Sequence, residues 1–221
     1  MKYKNYFENF SLNISFWNEV LLNRTVKELK FNTFDLDSIV LDNGEEVFIR
    51  NNTLMIPFKK ESEQLIVGIT GHRPQKINCQ NIPNPIYIKI CREIEKQLKE
   101  LKPYKVISGM ALGVDSWFVN IAIKLNIPII AAIPFMGQEL MWFEKDKKIY
   151  SKLLEKAEEV VIVSSGGFSK EKMQIRNEYI VDNCDVLIAV FNGNYNSETA
   201  NCVRYAQQKK REIILINPDL I

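Results

Sequence analysis

Hydrophobic and polar positions follow two different patterns, and these meet near residue 64. From Leu65 onward short, almost wholly apolar runs recur: Leu65–Ile69, Lys105–Ile107, Pro128–Ile133, Val160–Val163, Asp185–Val190 and Glu212–Ile216. Runs apolar on both faces suit parallel strands covered by helices on either side. Helical stretches separate them, at Tyr87–Leu101, Asp115–Leu125, Lys145–Lys156, Lys172–Asn183 and Thr199–Lys209. Strands and helices alternating at this length predict an α/β fold, a doubly wound, mostly parallel sheet with helices on both faces.

Upstream, the chain is polar and aromatic. A helix is predicted from about Phe16 to Lys30, with an imperfect apolar face formed by Trp17, Val20, Leu21 and Leu29. Three short runs follow, Ser38–Leu41, Glu46–Ile49 and Leu54–Ile56, with Asn43-Gly44 between the first two. Both of those turn residues accept positive φ cheaply, as a tight hairpin needs. The expectation is a small N-terminal helix and β-meander over residues 1–62, a polar linker at Lys59–Gln64, and the doubly wound domain over residues 63–221.

Composition narrows the function. At 221 residues, 46% hydrophobic and 25% charged, the chain is ordinary for a globular protein and too apolar for wholesale disorder. Twenty-nine Lys and Arg against 27 Asp and Glu leave a charge of only +2, which argues against nucleic acid as a partner because backbone binding needs a concentrated basic face. The four cysteines (Cys79, Cys91, Cys184, Cys202) have no paired metal spacing, and one histidine, His72, cannot build a His-rich site. No metal and no cofactor is expected. No apolar run nears the ~20 residues of a membrane span, and the N-terminus lacks a signal-peptide core. A cytoplasmic protein with no membrane partner is the expectation.

In a doubly wound sheet, ligands bind outside the carboxyl ends of the strands. After the first of these strands stand Gly71, which permits close backbone approach, and Arg73, able to hold a phosphate or carboxylate. After the second comes Ser108-Gly109-Met110-Ala111-Leu112-Gly113-Val114-Asp115, leading into a helix whose free N–H groups could face a phosphate. Asp115 could cap that helix or accept from a ribose hydroxyl. The same loop also reads as a turn that merely needs glycine, and it is neither GxGxxG nor a Walker A loop. Pro134, Gln138 and Glu139 follow the third strand, with Trp142 and Phe143 as core or stacking aromatics. Arg176 and Asn177 lie in the helix before the fifth strand. Gly193, Ser197, Glu198 and Thr199 open the last helix.

Taken together these loops resemble the SLOG superfamily, which joins DNA-processing protein A, the LOG phosphoribohydrolases and the YpsA-related group, and they look most like the last. The resemblance covers about Leu65 to Pro218 and is carried by Gly71-His72-Arg73-Pro74, the Ser108–Asp115 loop, Ile133-Pro134-Phe135 with Gln138, Arg176-Asn177, and Thr199-Ala200-Asn201 with Tyr205-Ala206. It implies a Rossmann-like domain that takes a nucleotide or nucleotide-derived ligand. Arg176 stands where the LOG enzymes place an arginine. Asn201 stands where their catalytic glutamate is expected, and an amide cannot serve as general base. Ser197-Glu198 replaces a Gly-Gly pair, and a carboxylate at a helix N-terminus repels a phosphate.

Three functions follow in order. The first is binding of a nucleotide-type small molecule by Gly71, Arg73, Ser108, Gly109, Ala111, Gly113, Asp115, Pro134, Gln138, Arg176, Asn177, Gly193 and Thr199, as a sensor or sequestering module. The protein is then expected to be a homo-oligomer, with the meander serving oligomerisation or a partner. The second is cleavage or transfer of an N-glycosidic bond, with Glu198 or Glu139 as the carboxylate and Arg176 as clamp. The third is single-stranded DNA binding.

Overall fold

The computed structural model describes residues 26–31, 36–41, 46–50, 53–55, 64–80 and 83–221. Its strands are β1 (Val26–Phe31), β2 (Leu36–Leu41), β3 (Glu46–Arg50), β4 (Thr53–Met55), β5 (Ile66–Gly71), β6 (Lys105–Ser108), β7 (Ile129–Ile133), β8 (Glu159–Ile162), β9 (Val186–Val190) and β10 (Glu212–Ile216). The described α-helices are α1 (Pro85–Leu101), α2 (Val114–Lys124), α3 (Glu144–Leu154), α4 (Lys170–Asp182) and α5 (Glu198–Gln208). One sheet contains all ten strands, in the order β1-β2-β3-β4-β10-β9-β5-β6-β7-β8. The six strands from β10 to β8 are parallel to their neighbours.

Both faces of the central parallel strands are covered, as their unbroken apolar runs require, while the edge strand β8 leaves Val160 and Ile162 exposed. Val186, Ile188 and Val190 of β9 join Val67, Ile69, Ile90, Ile94 and Phe118 in the core beneath α1, α2 and α3. Leu187 and Ala189, from the same strand, join Ile180, Val181, Val203 and Ala206 in the core beneath α4 and α5. Three of the described helices, α1, α4 and α5, begin on a side-chain cap. Asn84 accepts from the Tyr87 N–H at 2.8 Å ahead of Pro85, while Ser169 and Ser197 do the same for α4 and α5.

From β5 the chain builds outward through β6 and β7 to β8, then returns to the other side of β5 for β9 and β10. The loops after β5 and β9 therefore diverge, and the crevice of a doubly wound sheet opens there.

The segment before residue 64 differs from the expected helix. Val26–Phe31 is a strand, paired antiparallel with β2 through Leu29↔Ile39 and Lys30↔Ser38. Glu28-Leu29-Lys30-Phe31 alternates with a period of two, and register shifts beside Val26 and Phe31 take up the misfit positions. The remainder of that predicted helix, and the Asn43-Gly44 turn, lie outside the described residues. The meander runs β1-β2-β3-β4 and continues the main sheet, because β4 pairs antiparallel with β10 through Met55↔Ile214 and Leu54↔Leu215. Among the described residues no helix is long and apolar enough to cross a membrane.

Candidate functional site

The loop from β6 to α2 is built from its own short-range bonds. Ser108, fully buried, accepts from the Met110 N–H at 3.2 Å and donates to the Asp115 carbonyl at 3.5 Å. Gly113 is the N-cap of α2 at φ 94° and makes no side-chain cap. A Cβ there would come within 2.6 Å of Pro74 Cδ, so this glycine is fixed both by its backbone and by the neighbouring loop. Asp115 does not cap α2. It lies in the first turn, and its Oδ2 accepts from the Ala111 N–H at 3.3 Å, closing the loop on itself.

Arg176 reaches this loop from α4. Its buried guanidinium donates from Nη1 to the Gly109 carbonyl at 2.7 Å and pairs with Asp115 Oδ2 at 3.6 Å. The side chains are 8% and 10% exposed, so both charges are held largely out of water. Gly109 makes the approach possible: a Cβ there would stand 1.5 Å from Nη1. Gln138, buried in the loop after β7, donates from Nε2 to the same carbonyl at 3.4 Å. Burial pushes the Asp115 carboxyl above its usual pKa, and the Arg176 charge and the loop N–H groups pull it back.

Beside this group lies a second one, in which Thr199, expected to bind ligand, meets His72, which was not. His72 is 2% exposed, and its Nδ1 is 3.3 Å from Thr199 Oγ1 at the start of α5. Its backbone N–H donates to Val190 at 3.3 Å, tying the loop after β5 to β9. Burial lowers the imidazole pKa below 6.5, against the Asn192 side chain, so the ring is neutral at neutral pH. Its position, the sole histidine of the chain set immediately after a predicted strand end, was the available signal. Gly71 precedes it, where a Cβ would meet Val114 at 2.6 Å; the loop after β5 and the start of α2 are in close contact.

The structure thus gathers Ser108, Gly109, Ala111, Asp115, Gln138 and Arg176 by direct contact, and sets His72 with Thr199 between the ends of β5 and β9. Arg73 is exposed in the same loop as His72, and its charge is felt at Asp115. Asn177 is buried next to Arg176, while Pro134 is buried and its carbonyl accepts from Ser164 at 3.1 Å. Gly193 takes φ 86° in the loop after β9. Glu198 is exposed at the first position of α5, and Glu139 is half-buried. Among the described residues no hydrogen bond or ion pair joins either glutamate to Arg176. Ser197 caps α5, accepting from the Ala200 N–H at 3.1 Å. Asn201 is exposed and accepts from Arg204.

Six buried side-chain atoms have no hydrogen-bond partner among the described residues, and three of them, His72 Nε2, Gln138 Oε1 and Arg176 Nε, belong to this site. No cluster of metal-ligating side chains occurs among the described residues.

A doubly wound sheet with buried polar and charged side chains converging at the carboxyl ends of its central strands is a Rossmann-like module. The chain belongs to the YpsA family, described as the YspA SLOG family, whose model matches residues 67–221. It is 35% identical over 136 residues to the SPbeta prophage-derived protein YoqJ of Bacillus subtilis, covering 54% of this chain and 79% of that one. It is 26% identical to a UPF0398 protein of Halalkalibacterium halodurans, over 69% of this chain and 88% of the relative.

Among solved structures, DNA processing protein A of Streptococcus pneumoniae superposes at a TM-score of 0.52 and 18% identity, covering 68% of this chain. This chain spans half of that protein's length. DNA processing protein A of Helicobacter pylori gives a TM-score of 0.50 at 18% identity, covering 86% of this chain and 79% of that one. At this identity these two likenesses define the fold.

Proposed function

We propose that the protein binds a nucleotide or nucleotide-derived small molecule in the crevice lined by the Ser108–Asp115 loop, Gln138, Arg176, His72 and Thr199. The observation that carries this reading is the concentration of unpaired buried polar atoms there: His72 Nε2, Gln138 Oε1 and Arg176 Nε. Each costs about 1–3 kcal/mol left without a partner, a cost that a bound ligand removes. Arg176, turning from the Gly109 carbonyl, offers a fork for a phosphate, with the exposed Arg73 as second cation. Asp115 and neutral His72 supply an acceptor and a donor of the kind that ribose hydroxyls and phosphate oxygens need.

Binding is favoured over N-glycosidic cleavage by Glu198 or Glu139 because neither of those carboxylates is engaged with Arg176. Asn201, where the LOG enzymes carry their catalytic glutamate, has no charge to offer. The reading takes residues 63–221 as the binding domain, in keeping with a family match that starts at residue 67, and residues 1–62 as an appendage to it.

The test is thermal shift and calorimetry with nucleoside mono- and diphosphates and ADP-ribose at millimolar concentration. Stabilisation of the protein by at least one, lost in Arg176→Lys and in Gln138→Ala, is the expected result. Silence across the whole panel refutes the reading. Single-stranded DNA, bound by the H. pylori protein, serves as the competing polyanion: salt-sensitive binding of DNA with no response to nucleotides would replace the small ligand as the function.

A further inference from the structure

His72 is the only histidine of the chain, and it is held at three points. Its backbone N–H donates to the Val190 carbonyl, its ring packs on Phe191 with centroids 5.5 Å apart, and its Nδ1 lies 3.3 Å from Thr199 Oγ1. Nε2 is buried and has no hydrogen-bond partner among the described residues. Burial keeps the ring neutral, so one nitrogen carries a proton and the other does not. The place of that proton decides whether Nε2 can donate or only accept.

Thr199 decides it. The residue is 4% exposed, and among the described residues its side chain makes one hydrogen bond, the one to His72. A hydroxyl has a single hydrogen to give. Were Nδ1–H to donate to Oγ1, that hydrogen would be buried without an acceptor, and Nε2 would be a buried acceptor without a donor. If Thr199 donates to Nδ1 instead, the hydroxyl is satisfied and the ring proton sits on Nε2. One unpaired group remains rather than two, and unpaired buried groups are what a fold avoids. The atom left over is therefore a donor, fixed in place and waiting for an acceptor.

The charges around the ring select an anionic acceptor. Lys76 acts on it more strongly than Asp219 does, and Arg73, the next residue, is exposed. The Asn192 side chain also acts on the ring, but it is half-exposed and its Oδ1 already accepts from the Asn194 N–H at 3.2 Å. A ligand oxygen that displaces this amide reaches the ring nitrogen. We propose that His72 is a specificity-determining residue of the crevice, donating from Nε2 to a phosphoryl oxygen of the ligand while Thr199 holds the ring in the tautomer that can do so. This rests on the crevice being the ligand site and adds a contact separate from that of Arg176. His72 stands between the ends of β5 and β9, whereas Arg176 stands over the loop after β6, so the two donors meet different oxygens.

A single histidine makes the tautomer directly readable. Imidazole nitrogen NMR of the full chain, isotope-labelled at histidine, should show one ring with a protonated Nε2 and a bare Nδ1 at neutral pH without ligand. In Thr199→Val the two tautomers should mix. A wild-type ring protonated at Nδ1, or at both nitrogens, overturns the proposal before any ligand is added. Calorimetry with nucleoside mono- and diphosphates and ADP-ribose then tests the contact. His72→Phe, which keeps a ring and removes the donor, should weaken binding by roughly ten- to a hundredfold. His72→Gln, which keeps an N–H at similar reach, should recover most of that loss, whereas a merely structural role would make the two variants alike. Nucleotide binding that survives His72→Phe, or that His72→Gln fails to restore, overturns the proposal and leaves the crevice as the ligand site. Absence of binding by the wild type overturns both.

Discussion

Gly109 is the position at which Arg176 can be felt most directly. In Gly109→Ala the added methyl would lie 1.5 Å from Nη1 and 2.3 Å from Cζ, so the guanidinium must leave. With it go the 2.7 Å bond to the Gly109 carbonyl and the 3.6 Å pairing with Asp115. A hydrogen bond from a charged donor contributes about 1.5–3 kcal/mol, and breaking a buried ion pair outright costs about 3–5 kcal/mol. Arg176 is displaced rather than deleted and can find water, and the unfolded chain loses about 0.5 kcal/mol of entropy advantage when glycine becomes alanine. The net expectation is a destabilisation of about 2 kcal/mol, which for a chain of this length lowers Tm by roughly 4–8 °C.

Urea denaturation with an unchanged slope measures it. Gly167→Ala, whose added Cβ meets nothing within 4 Å, is the control and should be close to neutral. In an Arg176→Ala background the Gly109→Ala penalty should nearly vanish, because the two side chains then no longer compete for one place. A penalty in Gly109→Ala below about 0.5 kcal/mol, or an equal penalty with and without Arg176, would refute the account of why this glycine is there.

Two further outcomes concern stability. Burial raises the pKa of Glu212, at the start of β10, from 4.5 to about 7. The native state therefore holds this proton more tightly than the unfolded chain, so its stabilising share is complete below about pH 4.5 and is lost as pH rises towards about 7. Glu212→Gln should raise stability by about 2 kcal/mol near pH 8 and leave it little changed near pH 4, read from denaturation midpoints across the range. Ser197 both accepts from Ala200 and donates to the Asn194 carbonyl at 2.6 Å, and Ser197→Ala should cost about 1–2 kcal/mol in the same assay.

The parallel half of the fold was legible in sequence because burial on both faces leaves short apolar runs, whose length and alternation with helical stretches mark them as strands. The runs at Val186–Val190 and Ile213–Ile216 are apolar without alternation, and helical stretches such as Lys172–Asn183 and Thr199–Lys209 separate the strands. The first strand was misread because Val26–Phe31 has both a partial helical face and a partial alternation; pairing with β2, a tertiary event, decides between them. The loops of the site were visible as glycine-rich strand ends. Their contacts were not: Gly109 and Arg176 are distant in sequence, and nothing local says that one exists to admit the other. His72, named in the Gly71–Pro74 segment, was not placed among the binding residues for a related reason. A lone histidine has no pattern, and its relation to Thr199 exists only once β5 and β9 are neighbours.

The pairing of β4 with β10 bears on the order in which the molecule is assembled. Leu54 and Met55 emerge from the ribosome long before Leu215 and Ile214, the residues they pair with. During synthesis the meander must therefore wait with one edge unpaired until nearly the whole parallel sheet has formed beside it. Contacts this distant in sequence are the slow ones in folding, and an exposed strand edge is the feature through which nascent chains associate wrongly. Strands β1 to β4 are thus made well before they are secured, and a ribosome stalled before residue 212 would leave them without a template.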